Sequence, residues 1–227
     1  MNKISLLVTI LLSSSSLFGQ ESKGVAIDSS YKNWYYDARA NLYSKLEKKK
    51  VDIVFFGNSI TEHGPWHELV GFKYRIGNRG IGGDNTFGMK ARILNAISSK
   101  PKKIFLMMGI NDVGRGLPTA VTAKNYEDII LIIKKYSPNT KIYIQSTLPM
   151  NESLLKYDYL KGKEALVRAQ NETLEKLSAK YKLTYVNVKE VLADDYNLKS
   201  TFTTDGIHLN ADGYIVWANY LKKKKYI

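Results

Sequence analysis

Four short blocks of the chain hold the residue types that acyl transfer requires. Gly57-Asn58-Ser59-Ile60-Thr61 places a serine directly after an apolar run, and Asn78-Arg79-Gly80-Ile81-Gly82-Gly83-Asp84 is a glycine-rich turn. Gly109-Ile110-Asn111-Asp112 follows another apolar run, and Asp205-Gly206-Ile207-His208-Leu209-Asn210 lies near the C-terminus. Ser59 can act as a nucleophile, His208 as its base and Asp205 as the group that orients the base. Gly83 and Asn111 can offer N–H groups to a developing oxyanion. Asp205 and His208 are three residues apart. On a tight turn that spacing lets the carboxylate accept from Nδ1–H and leaves Nε2 facing the serine.

Each block also has a structural reading. Ser59 in a turn after a strand is an ordinary helix N-cap. Gly80 to Asp84 is a tight loop in which Asp84 can cap a helix starting at Thr86, and Asp112 can accept backbone hydrogen bonds in its own turn. Other chemistries fit less well. The glycine-rich turn lacks both the lysine of a phosphate loop and the full Gly-x-Gly-x-x-Gly spacing, so nucleotide binding is not expected. Thr61 stands where a Gly-x-Ser-x-Gly elbow needs its second glycine. The sequence contains three histidines, and the run His63-Gly64-Pro65-Trp66-His67 puts a helix breaker between two of them. With no third ligand in view, neither a metal nor another cofactor is expected.

The order and spacing of the four blocks resemble the SGNH hydrolases, the esterase superfamily that includes the GDSL lipases. The resemblance runs from about Val51 to the C-terminus. The first block of that family usually reads Gly-Asp-Ser-[Ile/Leu]; here Asn58 replaces the aspartate and the serine is kept. The resemblance implies an oxyanion hole formed by the N–H groups of Ser59 and Gly83 and the side chain of Asn111. It also implies a three-layer α/β/α sandwich on a parallel sheet of strand order 2-1-3-4-5, and ester hydrolysis through an acyl-serine without a metal. With loops this short, the chain is similar to carbohydrate O-acetylesterases, including those acting on sialic acid or plant polysaccharides, and to platelet-activating-factor acetylhydrolase-like enzymes. A short acyl group, acetyl foremost, removed from a glycan ester is therefore the expected reaction. Trp34, Tyr35 and Trp66 are candidates for a sugar-stacking surface. The alternatives are a lysophospholipase or thioesterase with a long acyl groove, and a carbohydrate-binding relative that has lost its chemistry.

The elements that must position these blocks alternate along the chain. Apolar runs at 51–56, 72–76, 103–108, 141–146 and 183–188 read as buried strands. Helical patterns occupy 34–49, 86–98, 119–136, 159–181 and 211–222. In the third of these Ile129, Ile130, Ile132 and Ile133 form a buried stripe, and in the fourth Leu166, Ala169, Leu174 and Leu177 do so. Repeated β-α units of this length imply a parallel sheet covered on both faces. Ligands bind such sheets outside the carboxyl ends of the strands, so Ser59, Gly83 and Asn111 are expected on one rim.

Residues 1–20 have the pattern of a secretory signal: a charged start at Lys3, the apolar run Ile4 to Leu12, then small and polar residues. The run is too short for a permanent membrane span. Residues 21–227 are expected to be one SGNH hydrolase domain, exported to the periplasm or outside a bacterial cell, with no integral membrane segment after cleavage. Of the 227 residues none is cysteine, so the core must stabilise the fold without disulfides. The formal net charge is +13. Its densest runs, 48–50 and 222–225, fall where helices should end, a favourable place for cations. No zinc-finger, RRM or helix-turn-helix pattern accompanies the charge, and nucleic acid is not an expected partner.

Overall fold

The structure is a computed structural model and describes residues 27–46 and 49–227; the segment 1–20, expected to be a secretory signal, lies outside the described residues. Its strands are β1 (Ile53–Gly57), β2 (Ile76–Gly80), β3 (Lys103–Met107), β4 (Lys141–Gln145) and β5 (Thr184–Val186). All pair in parallel, in the order β2-β1-β3-β4-β5. The helices are α1 (Trp34–Lys45), α2 (Ser59–Glu62), α3 (Trp66–Val70), α4 (Thr86–Ala96) and α5 (Ile110–Gly114). They continue with α6 (Thr119–Tyr136), α7 (Glu164–Tyr181), α8 (Lys189–Leu192) and α9 (Ala211–Lys223). A short antiparallel pair, Ala193–Asp194 with Asn197–Leu198, was not legible in the sequence.

Side chains alternate across a strand, so each strand feeds both faces of the sheet. Phe55, Phe105 and Tyr143 are register partners on β1, β3 and β4. Their rings stack at centroid separations of 5.0 and 4.6 Å, and Trp66 of α3 stacks on Phe55 at 4.0 Å. Tyr214 and Trp217 of α9 complete this aromatic face. The opposite face is mainly aliphatic: Val54, Leu106 and Ile144 pack against Met89 and Ile93 of α4, Ile129, Ile130 and Ile133 of α6, and Leu174 of α7. Each fully buried side chain of this size stabilises the fold by roughly 1.5–3 kcal/mol.

Four expectations are corrected. The second strand is Ile76–Gly80, not 72–76, and Phe72 is 95% exposed. As an edge strand of sequence Ile-Gly-Asn-Arg-Gly, it lacks the apolar run that marks the central strands. The first helix stops at Lys45. The fourth long helix begins at Glu164, and its buried residues are Val167, Gln170, Asn171, Leu174, Leu177 and Ser178, leaving Leu166 exposed and Ala169 half-buried. In α6, Ile132 is only half-buried beside the buried Ile129, Ile130 and Ile133. Among the described residues no helix is long and apolar enough to cross a membrane.

Candidate active site

β1 ends at Gly57 and the chain turns at once into α2. Asn58 caps that helix, its Oδ1 accepting from Ile60 N at 3.0 Å. The capping role open to Ser59 is thus filled by its neighbour. Ser59 is the first residue of the helix, half-buried, with its Oγ 2.9 Å from His208 Nε2. His208 Nδ1 lies 2.7 Å from Asp205 Oδ2, so serine, imidazole and carboxylate form one hydrogen-bonded line.

The loop carrying Asp205 and His208 holds itself in shape. Asp205 Oδ1 accepts from Ile207 N at 3.0 Å and His208 N at 2.8 Å, which leaves Oδ2 for the imidazole. Thr203 Oγ1 donates to His208 O at 2.7 Å and accepts from Gly206 N at 3.0 Å. Gly206 has φ +85°, and a Cβ there would lie 2.5 Å from Leu155 Cα, so only glycine fits. Burial by itself raises the Asp205 carboxyl. The hydrogen bonds from the His208 ring and from the backbone N–H groups of His208 and Ile207 outweigh it and bring the pKa down to about 2.

Gly83 and Asn111 are linked through Asp84, in the turn beside the serine. Ile81 to Asp84 form a turn closed by Asp84 N donating to Ile81 O at 3.2 Å, with Gly83 at φ +73°. A Cβ on Gly82 would stand 3.9 Å from Ser59 Cβ, which places this turn directly beside the serine. Gly83 is exposed, and its N–H has no protein acceptor among the described residues. Asn111, in the first turn of α5, donates from Nδ2 to Asp84 O at 2.8 Å; an amide has a second N–H left over. Asp84 does not cap α4 as expected, because Asn85 does, accepting from Phe87 N and Gly88 N. Asp84 instead pairs with Arg92 at 2.8 Å, both side chains buried. Burial pushes the Asp84 carboxyl up to about 6 against the pull of the Arg92 guanidinium. Asp112 accepts from Thr86 N and Oγ1, tying α5 to the neighbouring helix as well as to its own backbone.

The expected aromatic surface divides. Trp34 is 81% exposed and edges onto Tyr35 at 5.5 Å. Tyr35 reaches the Gly82 turn, its Cε1 3.4 Å from where a Cβ on Gly82 would be. Trp66 is core: it is 1% exposed, and its Nε1–H donates to Thr61 O at 2.8 Å. A tryptophan's apolar body and polar tip suit a buried site as well as a rim, and the sequence does not separate the two. His63 packs its ring 5.1 Å from His208, and burial and that neighbour hold its imidazole below the usual range. His67 faces a different groove, beside Arg75 and Arg79. Among the described residues no group of three or more His, Cys, Asp or Glu is placed to hold a metal.

Two polar residues at the site were not singled out from the sequence. Glu62 reaches the Gly82 turn, its Oε2 accepting from Gly82 N at 2.7 Å. The spacing Ser59-x-x-Glu62 was a visible signal, although in general it denotes a capping box. Tyr157 donates to Asp205 Oδ2 at 3.2 Å from an irregular segment 48 residues away, where no sequence pattern marks it.

The chain matches the GDSL-like lipase/acylhydrolase family over residues 55–216. It is similar to a Streptococcus pneumonia protein provisionally named as a platelet activating factor, with 30% identity, 84% of this chain and 92% of that one covered, and a TM-score of 0.78. A provisionally named acylhydrolase from Bacteroides fragilis shares the fold at 22% identity, covering 85% and 97% of the two chains with a TM-score of 0.70. The N-acylneuraminate cytidylyltransferase of Escherichia coli O18:K1:H7 is 24% identical over 199 residues; the match takes in 81% of this chain and 44% of that protein, less than half its length. The family match covers all the strand ends and all four blocks, and most of the chain besides: the protein belongs to the GDSL-like lipase/acylhydrolase family of the SGNH hydrolases.

Proposed function

We propose that the protein is a serine esterase that removes short acyl groups, acetyl foremost, from carbohydrate. The observation that carries this reading is the line from Ser59 Oγ through His208 to Asp205, at 2.9 and 2.7 Å, beside the unengaged N–H of Gly83. In this mechanism His208 Nε2 takes the Ser59 proton as Oγ attacks the ester carbonyl. Asp205 fixes the ring tautomer and stabilises the imidazolium without itself becoming protonated. The tetrahedral oxyanion is held by the N–H groups of Ser59 and Gly83 and by the free side-chain N–H of Asn111. His208 then protonates the leaving alkoxide. A water, activated by the same histidine, releases the acyl group from Ser59.

Support for a sugar ester is narrower. Half-buried Tyr35 lies next to the Gly82 turn with exposed Trp34 edge-on to it, and flat rings of this kind suit sugar faces. One relative takes its name from a nucleotidyl transfer to N-acylneuraminate, an acidic sugar. An apolar cavity of about 390 Å³ beside His63, lined by Pro65, Leu69, Leu209, Tyr214 and Ile215, favours a second reading in which a longer acyl chain is bound. Residues 1–20 are read as an export signal, which would put the enzyme in the periplasm or outside the cell. A panel of p-nitrophenyl acetate, butyrate and palmitate, with acetylated sugars alongside, decides between the readings. Acetyl turnover with kcat/KM falling steeply along the series is expected. Higher kcat/KM on palmitate would promote the long-chain reading, and no turnover of any ester would leave a non-catalytic relative.

A further inference from the structure

The oxyanion donors need to be aimed as well as present. Gly83 N–H belongs to the peptide plane between Gly82 and Gly83, and two adjacent glycines offer little steric resistance to a flip of that plane. In the flipped turn the carbonyl of Gly82 would face the oxyanion in place of the N–H. Some other contact must therefore hold the turn.

We infer that Glu62 is the positioning residue that fixes the oxyanion turn, and that α1 braces it through Tyr35 and Arg39; the inference rests on the serine esterase reading above. Glu62 Oε2 accepts from Gly82 N at 2.7 Å, a charge-assisted bond on the residue just before the donor. Glu62 Oε1 accepts from Tyr35 OH at 2.8 Å, and Arg39 Nε lies 2.7 Å away, off the line of a hydrogen bond. The Glu62 side chain is 9% exposed, so the charge is largely withdrawn from water and its partners are held firmly. Arg39 Nη2 donates to Tyr43 OH at 2.7 Å, and Tyr43 OH donates to Gly80 O at 2.7 Å. Tyr35, Arg39 and Tyr43 are spaced four apart, on one face of α1. That face grips the loop on both sides, at Gly80 and, through Glu62, at Gly82.

The clamp also shares an element with the nucleophile. Ser59 and Glu62 are the first and last residues of α2, a helix of four residues. Through Glu62, the serine and the turn that donates to the oxyanion are tied to the same turn of helix. A shift of α2 therefore carries both, and their separation is kept. No step of the mechanism passes a proton through Glu62; its contribution is geometric.

The test compares wild type, Glu62→Ala, Glu62→Gln and Tyr35→Phe, with kcat and KM on p-nitrophenyl acetate and the Gly82 and Gly83 amide resonances followed by NMR. Glu62→Ala is expected to lower kcat about 30- to 100-fold, with KM within about twofold, because an oxyanion donor acts in the transition state. Its Gly82 amide proton should move upfield and exchange faster. Glu62→Gln keeps a carbonyl acceptor and should recover kcat to within about fivefold of wild type. Tyr35→Phe removes one side of the brace and should cost about three- to tenfold in kcat. The inference is overturned if Glu62→Ala keeps kcat within twofold, or if the Gly82 amide is unmoved while activity falls. Should Glu62→Ala not fold, an unchanged kcat in both Glu62→Gln and Tyr35→Phe would overturn it, and a Gln-tolerant, Phe-sensitive pattern would support it. If wild type hydrolyses no ester, the esterase reading fails by itself, and the Gly82 amide still reports whether Glu62 holds the turn.

Discussion

The two halves of the candidate site are built from different material. Ser59, Gly83 and Asn111 each stand in the first turns after a buried parallel strand, backed by the sheet and by the buried Asp84–Arg92 pair. Asp205 and His208 stand on no strand. Their loop lies between β5 and α9 and is held by its own hydrogen bonds and by contacts to the 151–157 segment, such as Asn151 N to Gly206 O at 2.8 Å. The difference matches the tasks. Oxyanion donors and a nucleophile need positions fixed to a fraction of an ångström, which a packed sheet supplies. A base that first accepts and then returns a proton needs orientation more than rigidity, and a carboxylate in a tight turn supplies that.

The sharpest way to break this comparison is Ser59→Ala. Among the described residues the Oγ hydrogen-bonds His208 Nε2 alone, so the fold owes it little. Activity is expected to fall about 10⁴-fold or more, with the melting temperature nearly unchanged. A purified variant retaining a tenth of the wild-type ester hydrolysis would require another nucleophile.

Asn111→Ala probes the same half where function and structure overlap. Loss of one oxyanion donor costs about 10²- to 10³-fold in kcat. Asn111 also donates to Asp84 O, so about 1 kcal/mol of stability should go with it. Denaturant unfolding together with kcat measures both. A drop in stability with kcat preserved would show Asn111 to be a structural tie alone.

Legibility in the sequence follows the same division. β3 and β4 were placed to within a residue and β1 to within two, because strands buried on both faces are apolar throughout. β2, at the sheet edge, carries Gly77, Asn78 and Arg79 and offered no such run. Asp205 and His208 were legible as a locally spaced pair and Ser59 from the order of the four blocks, and the structure brings all three into one line. Glu62 and Tyr157 act across 20 and 48 residues of sequence, and no local pattern encodes such contacts. Trp66, a candidate for the stacking surface, turns out to be core for a related reason. Its burial against Phe55 depends on how α3 lies on the sheet, which follows from tertiary packing.

The loop half makes a prediction in acid. The Asp205 pKa of about 2 lies below the ordinary aspartate value of 3.8, so the folded state binds fewer protons than the unfolded chain between those values. The group therefore stabilises the fold fully above about pH 4, and that contribution is lost as the pH falls towards 2. The amount is at most about 2 kcal/mol for a half-buried group. Asp205→Asn keeps an Oδ1 to accept from Ile207 and His208 N–H but has no charge to lose. Urea unfolding at pH 5, 3.5 and 2.5 should show wild type losing more stability than the variant across that range. Parallel losses would mean that Asp205 gains nothing from its partners.

The smallest expected effect belongs to Tyr157, and it tests whether the loop tolerates adjustment where the sheet does not. The phenol donates to Asp205 Oδ2 at 3.2 Å and stands 3.4 Å from His208 Nδ1, so it shares the oxygen that the imidazole uses. Burial, with Asp205 beside it, raises the phenol above its usual range, and it remains a donor throughout the working pH range. Tyr157→Phe keeps the ring that meets His208 edge-on at 5.7 Å and removes only the hydroxyl. Two consequences oppose each other. The carboxylate loses a hydrogen bond that helped to hold it, and the charge which that bond drew off becomes available to His208. A long bond of this kind is worth about 0.5 kcal/mol, so kcat/KM should change no more than two- to threefold. The direction shows in the pH–rate profile, whose acidic limb should move to higher pH because the imidazolium is better stabilised. A loss of tenfold or more would mean that the loop half is as tightly specified as the sheet half. The contrast between the two would then lie in their architecture and not in their tolerance.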